Sequence, residues 1–275
     1  MTRLRRAALY LPASSPRAIA KARTLAADVV ILDLEDAVAP DQKTDARVAA
    51  VAAIREGGFG TRELVVRANG LDTEWGADDL AALAAAKPDA ILVPKVSDAA
   101  DVAAYVERAG AVPVWAMVET AGAVLRLDAI AAVPGLAALV MGTNDLAREL
   151  RMRPGGDRLP MQGFLAATVA AARAHGRFTL DGVWNAIDDA DGLAAECAQA
   201  VRFGFDGKTL IHPGQIDACL AAFRPSAEEI AAAQAIVAAF AQPEAAGKGA
   251  IRHGGAMVER LHLAEAEALL ARAKE

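Results

Sequence analysis

The sequence is poor in aromatic residues and in cysteine, and it has no excess of positive charge. Only 4% of its 275 residues are aromatic, and its two cysteines, Cys197 and Cys219, lack the spacing of a metal-binding motif. We therefore expect two free, partly buried thiols without a functional role. A formal net charge of -6 leaves no general basic surface, so nucleic acid is not expected as a partner. An anionic substrate would therefore have to be bound by individual basic side chains at its own site.

Long apolar runs are also absent from the sequence. No stretch of about 18 consecutive apolar residues occurs, so no transmembrane helix is predicted and no membrane partner is expected. The basic start at residues 1–6 leads into a strand-like run rather than into the apolar region and cleavage site of a signal peptide. We therefore expect a cytoplasmic protein.

Short apolar runs of strand length alternate with helical stretches along most of the chain. Hydrophobic residues make up 55% of the sequence, and much of this is alanine, which favours tightly packed helices. Eight strands that alternate with helices indicate a parallel sheet, and eight is the number that closes a (β/α)8 TIM barrel. A doubly wound open sheet stays possible, although no Gly-x-Gly-x-x-Gly turn follows the first strand. The predicted strands are 7–11, 29–36, 64–69, 90–96, 113–119, 138–145, 178–183 and 205–212.

The C-terminal part of the sequence does not continue this repeat. Ser226 to Glu229 has the pattern of a capping box, which starts a helix. We predict a barrel over 1–224 and a helix–hairpin–helix extension over 225–275 that serves as a lid or as an oligomer contact. The extension is predicted to contain a helix to about Phe240, a loop over 242–249, a hairpin over 251–258 and a helix from Glu259.

Polar and charged residues stand where the predicted strands end. The C-terminal ends of barrel strands face the active-site mouth, so we expect these side chains to gather there. The set is rich in acids and contains one or two cations. Its members are Glu35, Asp36, Arg67, Asn69, Lys95, Glu119, Thr143, Asn144, Asp145, Asp181 and His212.

Glu119 and Asp145 end neighbouring predicted strands. Such strands lie about 4.8 Å apart, and two oxygens bound to one Mg²⁺ at about 2.1 Å are at most about 4.2 Å apart, so both acids can reach one ion. Two carboxylates without His or Cys suit a hard cation, Mg²⁺ or Mn²⁺. The alternative is that each acid caps a helix or pairs with a base. Because several acids end otherwise apolar strands on one rim, we favour the metal.

The other rim residues each have a functional and a structural interpretation. Arg67 offers a planar fork to a substrate carboxylate, or it pairs with Glu35 or Asp36, and both roles can hold together. One of these acids is expected to hydrogen-bond metal-bound water, and the other to cap the next helix. For Lys95 we favour a structural ion pair over a Schiff base, because nearby acids keep it protonated. For His212 we favour a loop histidine satisfied by backbone.

A set of short motifs runs in order along nearly the whole chain. The motifs are Leu11-Pro12, 31–38 with Lys43 and Arg47, 66–69 with 72–76, 92–96, 118–120, 142–146, and 204–208 with 211–213. Together they resemble the citrate lyase β-subunit-like branch of the HpcH/HpaI aldolase superfamily. The resemblance implies a (β/α)8 barrel, Mg²⁺ dependence, and cleavage or formation of a C–C bond next to a thioester or keto acid.

The resemblance also implies the roles of individual residues. By position, it carries the family's metal ligands to Glu119 and Asp145, and its substrate-carboxylate arginine to Arg67. The family's catalytic acid pair falls on Glu35 and Asp36. The expected partners are a keto acid and an acyl-CoA-type thioester, and the expected assembly is a homo-oligomer, a trimer or a hexamer.

Two further parts of the site follow from the same motifs. We expect Gly142, Thr143 and Asn144 to bind substrate together with Arg67. The family's CoA-thioester lyases carry Met-Ile-Asp near the C-terminus, where this chain has Met-Val-Glu ending at Glu259. The side chain is one methylene longer, and we expect Glu259 to act catalytically by giving a proton to a departing enolate.

The predicted function is that of a Mg²⁺-dependent carbon-carbon lyase. Its substrate would be a 3-hydroxyacyl thioester of the citryl, citramalyl or malyl type, split into an acetyl-thioester and a keto acid or formed from them. One alternative is a class II aldolase that acts on free hydroxy-keto acids. Another is a non-catalytic barrel that binds an acyl-CoA or a keto acid.

Overall fold

Eight parallel strands close into a barrel, as the alternation of strands and helices predicts. The computed structural model describes residues 3–273. Each strand pairs with the next, and β1 pairs with β8 to complete the ring. The strands are β1 Ala7–Pro12, β2 Val29–Asp33, β3 Glu63–Arg67, β4 Ala90–Val93, β5 Val114–Val118, β6 Leu136–Met141, β7 Phe178–Asp181 and β8 Gly207–Leu210.

Helices follow the strands, and local sequence signals start and end them. Asp98, for example, accepts hydrogen bonds from the backbone N–H groups of Ala100 at 2.8 Å and Asp101 at 3.0 Å, which caps the helix that Gly110 ends at φ 63°. The helices that follow the strands are α1 Pro16–Ala22, α2 Lys43–Glu56, α3 Gly76–Ala86, α4 Ala99–Ala109, α5 Ala121–Leu125, α6 Leu127–Ala131, α7 Thr143–Glu149, α8 Gln162–Ala174, α9 Ala190–Phe203 and α10 Ile216–Ala222.

The barrel strands are buried on both faces. Alternate residues such as Val29, Ile31 and Val140 form one apolar cluster with Trp115 and Leu180, and each of them is fully buried. Strands that are covered on both faces explain the continuous Val/Ile/Leu runs of the sequence, because neither face is left to water. Both cysteines are free and buried, as expected for thiols that serve as packing.

Several strands end earlier than the sequence indicates. Strand β2 ends at Asp33, whose carboxylate accepts the backbone N–H groups of Glu35 at 2.9 Å and Ala37 at 3.0 Å and so turns the chain. Strand β6 ends at Met141, which places Asp145 in the first turn of α7 and not on a strand. The predicted strand ends were therefore wrong by a few residues, although the residues concerned still follow the C-terminal ends of their strands.

The chain divides into two compact units between Leu220 and Ala221. We keep the domain limits 1–224 and 225–275 as a proposal. The second unit has the predicted helix–hairpin–helix order, and Ser226 and Glu229 form the predicted capping box with bonds of 2.7 and 3.1 Å. No helix in the part of the chain that the structure describes is long and apolar enough to span a membrane. The elements of this unit are α11 Ala227–Phe240, β9 Ala250–His253, β10 Ala256–Glu259 and α12 Arg260–Arg272.

Candidate active site

A pocket of about 320 Å³ lies at the C-terminal ends of the barrel strands. Tyr10 and Met117 line it together with most of the residues that the sequence places at the mouth. The parallel barrel explains this convergence, because every strand delivers its C-terminal end to the same rim. The predicted site residues that line the pocket are Asp36, Arg67, Glu119, Gly142, Thr143, Asn144 and Asp145.

Glu119 directly follows β5 and is 1% exposed. Its Oε1 accepts the backbone N–H of Lys95 at 2.7 Å, whereas its Oε2 is buried without a hydrogen-bond partner among residues 3–273. Burial raises the pKa of Glu119 to about 8, and the nearby Glu35 carboxylate adds to the rise. A buried carboxylate oxygen without a partner is costly, so this position favours a bound cation.

Asp145 lines the same pocket with a side chain that is 22% exposed. It pairs with Arg148 of the same helix at 2.6 Å, but that arginine is 76% exposed, and such surface pairs are weak. The pair therefore leaves the carboxylate available to a cation. In the described chain, no group of three or more His, Cys, Asp and Glu side chains could hold a metal ion. Glu119 and Asp145 together offer the hard oxygen donors that Mg²⁺ prefers, and they leave further positions for water and substrate.

Arg67 ends β3 and is 8% exposed. Its Nε and Nη2 donate to the two carboxylate oxygens of Asp33, both at 2.7 Å, and these two residues lie opposite each other in the pairing of β2 with β3. Its Nη1 lies 2.7 Å from Glu35 Oε2 and 3.5 Å from Asp36 Oδ2. The contacts with Glu35 and Asp36 considered from the sequence are thus present. Asp33, which was not among the predicted site residues, is the bidentate partner, and a lone acid inside an apolar run was its signal.

Glu35 is 6% exposed and connects two cations. Besides its contact with Arg67, its Oε1 accepts a hydrogen bond from Lys95 Nζ at 2.6 Å, so Lys95 makes the structural ion pair favoured above. Burial raises the pKa of Glu35, and Arg67 and Lys95 oppose the rise. Lys43 belongs to the motif that carries the resemblance but was not among the predicted site residues. Its buried ammonium donates to the backbone oxygens of Leu34 at 2.9 Å and Glu35 at 2.7 Å. It lies ten residues after the end of β2, and this spacing alone did not predict the contact.

Two of the polar residues expected at the mouth have structural roles. Asp181, which ends β7, is fully buried in a separate ion network with Arg158 and Lys208, because Lys208 lies opposite it in the pairing of β7 with β8. The expectation that it opens into the mouth was therefore wrong. His212 Nδ1 accepts the backbone N–H of Gly214 at 3.1 Å, the loop role that we favoured.

The segment after β6 approaches Glu119 closely. A Cβ atom added at Gly142 would lie 2.5 Å from Glu119 Cβ and would also overlap Glu119 Oε2, so only glycine fits against this carboxylate. Asn144 exchanges hydrogen bonds with Asn185 at 3.2 and 2.7 Å across the pocket wall. The substrate-binding roles of Gly142, Thr143 and Asn144 stay predictions, for which their place in the pocket is the physical basis.

Glu259 belongs to the second unit and ends β10. Its backbone N–H donates to His262 Nδ1 at 2.9 Å, which secures the start of α12. Its predicted role as a proton donor stays a prediction.

The chain is similar in sequence to two curated proteins. The chain is 51% identical over 269 residues to a (3S)-malyl-CoA thioesterase of Cereibacter sphaeroides, which covers 98% of this chain and 94% of that protein. It is 34% identical over 300 residues to an L-malyl-CoA/beta-methylmalyl-CoA lyase of the same organism, again with 98% and 94% coverage.

The fold also matches a solved structure. The protein CitE from Mycobacterium tuberculosis, crystallised with magnesium, acetoacetate and coenzyme A, superposes with a TM-score of 0.84 at 35% identity over 99% of both chains. The sequence model of HpcH/HpaI aldolase/citrate lyase matches residues 6–213. The resemblance seen in the sequence is thereby confirmed, and the chain belongs to the HpcH/HpaI aldolase/citrate lyase family.

Proposed function

We propose that the protein is a Mg²⁺-dependent enzyme that hydrolyses a malyl-CoA-type thioester to the free hydroxy acid and CoA. The observation that carries the proposal is the unpartnered, buried Oε2 of Glu119 in a pocket that also contains Arg67. Such a pocket offers a cation site and an anion site side by side, which suits a substrate that carries both a carboxylate and a neighbouring hydroxyl or carbonyl oxygen.

Glu119 and Asp145 would hold Mg²⁺, with Glu119 presenting Oε2. When bound, Mg²⁺ supplies Lewis-acid polarisation of a substrate oxygen. Arg67 attracts the substrate carboxylate into the pocket, while Asp33 fixes the plane of the guanidinium through two hydrogen bonds of 2.7 Å. The buried pair thus orients the cation before substrate arrives, which lowers the cost of binding.

Asp36 is the proposed proton acceptor because it lines the pocket and its side chain is 60% exposed. In hydrolysis, it takes a proton from water while the water oxygen attacks the thioester carbonyl and the C–S bond breaks. The proton then passes to the departing CoA thiolate, so the products are a carboxylic acid and a thiol. Glu35 keeps Arg67 and Lys95 in place beside this group.

Hydrolysis is placed first because of the 51% identical thioesterase. Carbon-carbon cleavage is the second candidate, and it is favoured by the same mouth chemistry and by the 34% identical lyase. In that reaction Asp36 would accept the proton of the substrate hydroxyl, and Glu259 would protonate the departing acetyl-thioester enolate. Only this second reaction needs Glu259.

The products distinguish the two reactions. With (3S)-malyl-CoA and Mg²⁺, hydrolysis releases free thiol and malate, whereas cleavage releases glyoxylate and acetyl-CoA without free thiol. Thiol and glyoxylate would be followed in parallel, with chelator in a second series. Release of thiol that stops with chelator and in Glu119→Gln, but not in Glu107→Gln on the exposed face of α4, supports the proposal.

Other outcomes reject the hydrolase or the whole assignment. Glyoxylate without thiol would assign the lyase reaction. Turnover that is insensitive to chelator would remove the metal from the proposal. Turnover of pyruvate with an aldehyde but of no thioester would assign an aldolase, and ligand binding without any turnover would indicate a binding protein.

A further inference from the structure

Lys95 has an uncommon backbone conformation beside the active-site pocket. It follows Pro94 at the end of β4, and its φ of 53° lies in the left-handed region that L-residues other than Asn and Asp rarely adopt. Such a conformation persists only where its surroundings stabilise it.

At this left-handed turn, backbone groups of the segment between β4 and α4 form hydrogen bonds with the segment between β5 and α5. The Lys95 N–H donates to Glu119 Oε1 at 2.7 Å, and the next residue, Val96, accepts the Thr120 hydroxyl at 2.8 Å. Two consecutive residues of one segment are thus bonded to two consecutive residues of the other. These bonds fix the position of the Glu119 carboxylate and the rotation of its oxygens.

The side chain of Lys95 secures this backbone geometry. Its ammonium donates to Glu35 Oε1 at 2.6 Å, and Glu35 is held in turn by Arg67 at 2.7 Å. The residue is therefore held at two points, by its N–H and by its ammonium.

On the other side of the carboxylate, the glycine backbone at Gly142 leaves no room for a side chain next to Glu119 Oε2. Oε1 is occupied by the Lys95 N–H, and Oε2 is the oxygen that the described chain leaves without a partner. The carboxylate is thus presented with one particular oxygen free.

We propose that Lys95 is a positioning residue whose left-handed backbone N–H holds Oε1 of Glu119 and so reserves Oε2 for the metal ion. This inference rests on the proposed role of Glu119 as a Mg²⁺ ligand. It assigns the effect to the backbone conformation at position 95, while the ammonium acts by stabilising that conformation.

A series of neutral substitutions separates the backbone from the charge. Lys95→Asn, Lys95→Gly, Lys95→Ala and Lys95→Val all remove the ammonium, but Asn and Gly accept a left-handed backbone and Ala and Val do not. The measurement is the Mg²⁺ dissociation constant by titration calorimetry on the full-length protein, with the Tm of each variant recorded without metal.

The chain provides a matched control at Lys87. This exposed residue caps the C-terminus of α3, and it is left-handed as well, with a φ of 59°. Lys87→Asn and Lys87→Val impose the same change in backbone preference away from Glu119. They should differ in Tm and should bind Mg²⁺ as the wild type does.

We expect Lys95→Ala and Lys95→Val to bind Mg²⁺ about tenfold or more weakly than Lys95→Asn and Lys95→Gly, because the variant must first adopt the unfavourable turn. Equal Mg²⁺ affinity across the four variants, with affinity intact in the wild type, would overturn this inference and leave the proposed function standing. A wild-type protein that does not bind Mg²⁺ would overturn both.

Discussion

The barrel contains two largely buried clusters of charge, and they differ in one respect. The mouth cluster comprises Asp33, Glu35, Arg67, Lys95 and Glu119, and the β7–β8 cluster comprises Arg158, Asp181, Glu196 and Lys208. Each is built around an acid and a base that lie opposite each other on neighbouring strands, Asp33 with Arg67 and Asp181 with Lys208. In the β7–β8 cluster both acids form salt bridges with cations, whereas in the mouth cluster Glu119 forms none with any residue of 3–273.

The two strand-end acids Glu119 and Asp181 show the consequence. Both are almost completely buried, and burial raises the pKa of each. For Asp181 the Lys208 and Arg158 cations reverse this and lower the pKa, whereas for Glu119 the net effect is a rise to about 8. Removing one partner from a balanced buried network is costly, because it leaves an uncompensated buried charge, and a buried acid without a cation partner indicates where a ligand of opposite charge belongs.

The largest effect is expected in the β7–β8 cluster. Lys208 is fully buried and bonds to Asp181 at 3.0 Å and to Glu196, so Lys208→Met leaves two buried carboxylates with too little positive charge. The free energy of unfolding should fall by about 3–5 kcal/mol, measured by denaturant titration. Lys21→Met, on the exposed face of α1, is the control. A loss below about 1 kcal/mol would show that the balance of this cluster does not matter.

A smaller effect of opposite sign is expected at the mouth. In metal-free protein the pKa of Glu119 is about 8 against an ordinary 4.5, so between these values the folded protein binds more protons than the unfolded chain. Its free energy of unfolding therefore falls as the pH rises through this range. Glu119→Gln cannot titrate and should be more stable than wild type near pH 8, by on the order of 2 kcal/mol.

Denaturant titrations between pH 5 and pH 9 in the presence of chelator would test this, because the range begins just above the ordinary pKa of Glu119 and extends past the raised one. Glu107→Gln should keep the wild-type slope. A variant at Glu119 that is less stable than wild type near pH 8 would mean that the mouth is not short of positive charge.

The next effect concerns metal affinity. Gly142→Ala places a methyl group on Glu119 and should shift its carboxylate, weakening Mg²⁺ binding about tenfold, or roughly 1.4 kcal/mol. Gly163→Ala in α8 meets no atom within 4 Å and should leave binding unchanged. Calorimetric titration of both variants makes the comparison. Equal affinities would show that the close approach at Gly142 serves packing alone.

The smallest effect is expected at the rim of the mouth. Arg148→Ala removes the exposed partner of Asp145 and should change the free energy of unfolding by less than about 0.5 kcal/mol. It should also strengthen Mg²⁺ binding slightly, by less than about threefold, because Asp145 no longer shares its charge. Weaker binding in Arg148→Ala would mean that this pair orients Asp145 for the metal.

The sequence alone predicts the barrel, the C-terminal extension and the end of the barrel at which the site lies. Apolar runs of strand length predict buried parallel strands, and the topology then brings the residues that follow them to one rim. This is why Arg67, Glu119 and Asp145 could be placed in one pocket without knowledge of any distance.

What could not be predicted depends on strand register and loop geometry. Asp33 was passed over and Asp181 was misplaced because the pairing of neighbouring strands decides which acid faces which base. Strand ends were extended too far because apolar residues such as Leu34 and Val96 continue beyond the last strand residue and are buried in the loops that follow. The left-handed turn at Lys95 carries no sequence signal, since lysine does not favour it.

The two buried cysteines can be used to measure the opening of the barrel unit. Cys197 and Cys219 are both fully buried within the barrel unit, so a thiol reagent can modify them only when that unit opens. Labelling rates measured by mass then give the opening rate or the opening equilibrium of the barrel without any added probe. Because both cysteines are buried, the native protein should not react in the free-thiol assay proposed for thioester hydrolysis. The thiol detected in that assay is then the CoA released as product.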